Sequence, residues 1–102
     1  FGGDWEDKSR NTLCKAITSD GGKTWTLLND GEDPGFRSCV QYVPASQGKE
    51  IFAVGIPGIS YSSNGGKSWE LWSKESFYTI RIAKSEPVAW LAGKNKLAKM
   101  KW

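Results

Sequence analysis

One eight-residue segment occurs twice in this chain. Thr18-Ser19-Asp20-Gly21-Gly22-Lys23-Thr24-Trp25 returns 44 residues later as Ser62-Ser63-Asn64-Gly65-Gly66-Lys67-Ser68-Trp69. Both copies read hydroxyl, any residue, Asp or Asn, any residue, Gly, any residue, hydroxyl, Trp. The residue types suit a tight connection between two strands. Asp20 or Asn64 can accept hydrogen bonds from the N–H groups of its own turn. The Gly pairs allow the positive φ that a turn between twisted strands demands. Thr18, Thr24, Ser62 and Ser68 offer hydroxyls to the same turn. Trp25 and Trp69 open the return strands and are expected to bury their rings beneath them. The segment is therefore structural.

A period of 44 falls within the roughly 40–50 residues of a propeller blade. Strands recur around the turns at the same spacing. First strands are expected at 38–43 and 77–83, second strands at 51–55 and 88–93, and third strands at 14–19, 59–63 and 97–102. Short fourth strands follow the turns at 26–28 and 70–72. Phe1-Gly2-Gly3 lines up with Ala53-Val54-Gly55 and Leu91-Ala92-Gly93 as a further second-strand end. The expected fold is all-β, in β-propeller blades of four antiparallel strands, about two and a half of them. Residues 1–28 end one blade, 38–72 form a complete one, and 77–102 supply three strands of a last one. Such rings close with about 4–8 blades, so this one is incomplete. The expected partners are the remaining propeller segments or further copies of the chain, which would cover exposed edges and inter-blade faces.

The two turns resemble the Asp box, or BNR repeat, of sialidases and related propellers. Ala53 to Trp69, reading Ala-Val-Gly-Ile-Pro-Gly-Ile-Ser-Tyr-Ser-Ser-Asn-Gly-Gly-Lys-Ser-Trp, is similar to a blade of photosystem II assembly-factor-like and bacterial BNR-repeat proteins. The stretch Ala92 to Trp102 resembles the C-terminal blade of such bacterial proteins. Asn64 departs from the usual Asp but keeps the turn chemistry. The resemblance implies an architecture and leaves the activity open, because propellers host many unrelated functions. It is compatible with the periplasm or with secretion as part of a longer precursor, and fixes no compartment.

Composition excludes several classes. His is absent and the two cysteines, Cys14 and Cys39, lie far apart, so a Cys/His zinc site is not available and no metal or cofactor is expected. Those cysteines fit either a disulfide or a free pair of small side chains. The 14 Lys and Arg residues are spread along a chain of net charge +3, which does not read as a nucleic-acid footprint. Apolar runs are all shorter than the roughly 20 residues of a membrane-spanning helix. Gly22-Lys23-Thr24 and Gly66-Lys67-Ser68 mimic the end of a phosphate-binding loop. The first Gly of that loop is missing, because Ile17 and Tyr61 stand at its position, and a strand follows where a helix is needed.

Up-and-down connectivity puts the Asp boxes at one face of the ring. Loops between second and third strands, and those between blades, share the other face, where propellers of this resemblance usually carry the ligand. The longest such loop holds Asp4-Trp5-Glu6-Asp7-Lys8-Ser9-Arg10-Asn11, between Gly3 and Ala16. Insertions on a rigid scaffold often carry function. A Trp ring stacks on a sugar's apolar face while carboxylates accept its hydroxyl hydrogens. Asp4, Trp5, Glu6, Asp7 and Arg37 are therefore the candidate ligand residues. Arg37 ends the acidic connector Asn29-Asp30-Gly31-Glu32-Asp33-Pro34-Gly35-Phe36, which lacks calcium-loop spacing. The expected function is a non-catalytic module binding a protein or glycan through that face. A sialidase-like glycoside hydrolase whose catalytic residues lie largely outside the chain is the alternative. Within the chain only Arg10, Arg37 and Arg81 are available for a substrate carboxylate, and no spacing selects a catalytic acidic pair. Trp72, Trp90 and Trp102 fall at strand positions and are read as core or inter-blade packing residues.

Overall fold

The structure, a computed structural model, describes residues 1, 6–7, 12, 14–28 and 31–102. Among them there are nine strands and no helix. β1 (Ala16–Ile17) pairs antiparallel with β2 (Thr26–Leu27) as a two-residue ladder. β3 (Cys39–Tyr42), β4 (Ile51–Gly55), β5 (Gly58–Ser62) and β6 (Glu70–Ser73) form a four-stranded antiparallel sheet in chain order. β7 (Thr79–Ile82), β8 (Val88–Gly93) and β9 (Lys96–Lys101) form a three-stranded one. The all-β class and the meander order match expectation.

Burial explains which strands the sequence marked best. Every residue of β4 is buried, so Ile51-Phe52-Ala53-Val54-Gly55 reads as a continuous apolar run rather than an alternation. Phe52, Val54 and Ile59 point toward the three-stranded sheet, where they meet Phe77, Ile80, Ile82, Ala89 and Leu91 in one core. Tyr61, Trp72 and Trp102 surround the Phe52 ring, with centroids 5.0, 5.2 and 4.9 Å away. Burial, then a 2.6 Å hydrogen bond donated to Glu50 Oε1, pushes the Tyr61 phenol up to about 12. Trp72 and Trp102 are packing residues as read from sequence. The Trp90 ring lies on the outer side of the three-stranded sheet and is 48% exposed.

Polar bonds fix the two large sheets against each other at their first strands. Ser38 Oγ donates to Tyr78 O at 2.8 Å, Ile82 N to Gln41 Oε1 at 3.0 Å, and Phe77 N to Gly55 O at 3.2 Å. Cys39 lies at this seam, where it accepts from Thr79 Oγ1, and Cys14 is buried far from it in the chain. Both thiols are free.

The repeated turns link β1 to β2 and β5 to β6. Gly65 N donates to Lys49 O at 2.9 Å, so the second turn shares one end of its sheet with the β3–β4 connection. The tight Ile56–Pro57 turn lies at the other end. Gly58 closes it at φ 143°, where an added Cβ would stand 2.2 Å from Ser73 O. No side chain fits there. The expected second-strand end at Phe1-Gly2-Gly3 falls largely outside the described residues, and Phe1 itself lies in no strand.

Candidate functional site

The two turns carry the same set of bonds. Gly22 N donates to Thr18 Oγ1 at 3.0 Å, and Gly66 N to Ser62 Oγ at 2.9 Å. Thr24 N donates to Asp20 Oδ1 and Ser68 N to Asn64 Oδ1, both at 2.9 Å. Thr18 Oγ1 and Ser62 Oγ donate to those same acceptors, at 2.8 and 3.0 Å. The Gly pairs sit at φ 76° and 94° in the first turn and 73° and 92° in the second. Each Trp closes its turn through its indole N–H, Trp25 onto Gly22 O at 3.1 Å and Trp69 onto Gly66 O at 3.0 Å. That bond holds the ring over the turn rather than beneath the strand. Trp25 is accordingly 62% exposed, contrary to the expectation that it would be buried. Trp69 is half-buried because the Phe1 ring meets it edge-on at 5.3 Å. With the side-chain polar groups of Thr18, Asp20, Thr24, Ser62, Asn64 and Ser68 engaged inside the turns, these residues are poor ligand groups.

A better candidate lies along the flank of the four-stranded sheet. A shallow pocket of about 220 Å³ runs between the 33–37 connector and strands β5 and β6. Asp33, Arg37, Ser60 and Glu70 supply its polar groups, and Pro34, Pro57, Trp69 and Leu71 its apolar walls.

Arg37 is only 7% exposed. It fits because Gly55 has no side chain: a Cβ there would stand 3.1 Å from Arg37 Cα and 3.4 Å from its Cδ. Arg37 Nη1 donates to Phe36 O and Nη2 to Ser60 Oγ, each at 2.9 Å, while Nε is buried with no partner. Burial lowers the guanidinium's pKa and the nearby Asp33 carboxylate opposes that shift. The group remains a cation at any ordinary pH.

A second buried cation anchors the connector. Lys15 Nζ donates to Glu32 O at 2.7 Å and to Pro34 O at 2.6 Å, with Cys14 Sγ at 3.8 Å. The start of β1 thus pins the segment that carries Asp33 toward Arg37. Arg37 thus makes an electropositive floor under a rim of carboxylates, while Lys15, which does not line the pocket, holds the connector from behind. Such a surface can take hydroxyls as donors to Asp33 and Glu70 and as acceptors from the Arg37 side.

Of the sequence-predicted ligand residues, Asp4 and Trp5 lie outside the described residues. Glu6 and Asp7 are exposed in a bend and are not among the described residues that line this pocket. Arg37 is central to the pocket, as a buried floor rather than an open loop residue. Among the described residues no three potential metal ligands cluster. No described helix is long and apolar enough to cross a membrane. Ser60, Glu70 and Leu71 were not legible as site residues, since they join the pocket only through strand pairing. Compared with protein-family models, with characterised proteins and with solved structures, the chain matches none.

Proposed function

We propose that this chain is part of an Asp-box β-propeller and serves as a non-catalytic module that binds a glycan or a protein chain. The observation that carries the propeller reading is the bond-for-bond repetition of the two turns at a 44-residue period, one of them closing a four-stranded antiparallel meander. The packing of the next meander against that sheet, first strand beside first strand, supports the same reading. On this reading the sheets are blades, and 38–72 is a complete one.

The binding reading rests on the Arg37 pocket. It combines an aromatic wall, two carboxylates, a hydroxyl and a buried guanidinium, a set suited to a polyhydroxylated ligand or to a peptide's polar groups. The hydrolase alternative has no observation of its own among the described residues.

Two measurements test this. Light scattering of the purified chain should give a mass above that of one 11.3 kDa copy, because an open arc needs company. A soluble monomer would sink the propeller reading. A glycan array should then show binding that Glu70→Gln weakens about tenfold, the effect of one hydrogen bond to a charged group. Binding indifferent to Glu70→Gln would remove the pocket from the proposal.

A further inference from the structure

The second repeated turn contains a chemically reactive pair, Asn64-Gly65. An asparagine followed by glycine is open to attack on its carboxamide carbon by the next main-chain nitrogen, because no side chain hinders the approach. The turn needs Gly65 for a different reason, its φ of 73°, which a residue with a Cβ adopts only under strain. One residue thus brings both the conformation and the liability. The first turn has Asp20 before Gly21 instead, and an ionised carboxylate is a poor electrophile. Asn64 is also exposed, so water reaches it.

The folded turn holds the two reacting groups apart. Gly65 N, the nucleophile, donates to Lys49 O at 2.9 Å. The Asn64 carboxamide, the electrophile, is turned toward Ser68. Its Oδ1 accepts from Ser68 N at 2.9 Å, and its Nδ2 donates to Ser68 Oγ at 2.6 Å. Ser62 Oγ donates to the same Oδ1 at 3.0 Å. Attack requires Gly65 N to leave Lys49 O and the carboxamide to rotate off Ser68. The packing of Gly66 against Leu28 and Ile51 opposes any such lifting of the turn.

We propose that Asn64 is a gated modification site, which deamidates when the second turn detaches from the β3–β4 connection. In the open turn, the Gly65 nitrogen forms a bond to Asn64 Cγ as the Cγ–Nδ2 bond breaks. Ammonia leaves with the proton that Gly65 N gives up, and a five-membered succinimide remains. One water then opens that ring. Cleavage between the nitrogen and Cγ leaves aspartate at position 64, and cleavage between the nitrogen and the main-chain carbonyl leaves isoaspartate. The two products have different fates. Aspartate reproduces the first turn, where Asp20 accepts the equivalent bonds from Thr24 N and Thr18 Oγ1, so the turn closes again. Isoaspartate routes the main chain through Cβ, which lengthens it by one atom and shortens the side group by one. Ser68 N is then out of reach, and a transient opening has become a permanent one.

The test incubates the full chain in mildly alkaline buffer, folded and in guanidinium, and follows Asn64 by mass spectrometry. The folded chain should react more slowly by at least the factor that protects the Gly65 amide from hydrogen exchange, since both events need the open turn. Ser68→Ala removes the bond to Nδ2 at an exposed position. It should speed the folded reaction about three- to tenfold, the worth of one hydrogen bond, and leave the guanidinium rate unchanged. The isoaspartate fraction of aged protein should lose exchange protection at the Ser68 amide, whereas Asn64→Asp should keep it. A folded rate above the limit set by Gly65 exchange, or one indifferent to Ser68→Ala, overturns the proposal. An isoaspartate fraction with Ser68 still protected does the same.

Discussion

The two turns share a backbone and a bond list yet occupy opposite extremes of environment. The first, at 18–25, is exposed from Ser19 to Trp25 and links a ladder of two residue pairs. The second, at 62–69, begins on Ser62 at 1% exposure, lies under Leu28 and Ile51 at Gly66, and is tied to Lys49 O. A local sequence can therefore write a turn's conformation without writing its stability. The hydrogen-bond pattern is local to eight residues, whereas the packing comes from Phe1, Leu28 and β4, which are distant in the chain. If this difference governs the two regions, equivalent substitutions must have unequal consequences.

The largest inequality is expected at the second Gly of each turn. An alanine forced to positive φ costs about 1–2 kcal/mol in either turn. At Gly22 the new methyl would meet only the Trp25 ring at 3.8 Å, but at Gly66 it would meet Leu28 Cδ1 at 3.0 Å, Trp69 at 3.6 Å and Ile51 at 3.7 Å. Gly66→Ala should lower global stability in urea by about 2–3 kcal/mol, the strain plus overpacking. Gly22→Ala should leave the global midpoint within about 0.5 kcal/mol, because an exposed two-residue ladder can open locally while the sheets stay folded. Equal losses would show that the ladder and the sheets unfold as one unit.

The next pair is the leading hydroxyl. Ser62 Oγ accepts from Gly66 N and Asn64 N inside the fold, so Ser62→Ala strands buried donors and should cost about 1–3 kcal/mol. Thr18→Ala removes the same bonds where water replaces them. Its effect should be confined to faster amide exchange at Gly22. Slower or unchanged exchange there would break the assignment of Gly22 N to Thr18 Oγ1.

This contrast also explains what could be read in advance. β4 and β8 were expected at 51–55 and 88–93 and occur there, because each is an unbroken apolar run ending on Gly, buried on both faces in β4 and with Trp90 exposed in β8. β1 is shorter than expected, two residues against six, since pattern alone cannot supply a ladder for the rest of the segment. The floor of the pocket was only half legible. Arg37 stands out as a cation after an acidic connector, but its burial depends on the missing Cβ of Gly55, and the Lys15 bonds that hold the connector beside it are invisible in one lysine among many. The row of Arg81, Trp90 and Lys99 is not legible in the sequence, because these residues become neighbours only through register.

The smallest and most selective test uses the one ionisable difference between the turns, carboxylate against amide. Asp20 accepts from the Thr24 hydroxyl, the Thr24 amide and the Thr18 hydroxyl, and these bonds pull its pKa from 3.8 down to about 2. Because the folded value is depressed, the stabilisation is complete above the ordinary carboxylate value and is lost as pH falls through about 2. Asn64 has no proton to gain in this range, so its bonds to Ser68 persist. Followed by NMR, the Thr24 amide should therefore titrate with a midpoint near 2 and the Ser68 amide should stay flat. Asp20→Asn should flatten the first response, and Asn64→Asp should create one at Ser68. A Thr24 midpoint near 4 would mean that Asp20 is solvated rather than bound by its turn. A matching shift at Ser68 would mean that acid acts on the whole fold, and the two turns would then differ in burial but not in chemistry.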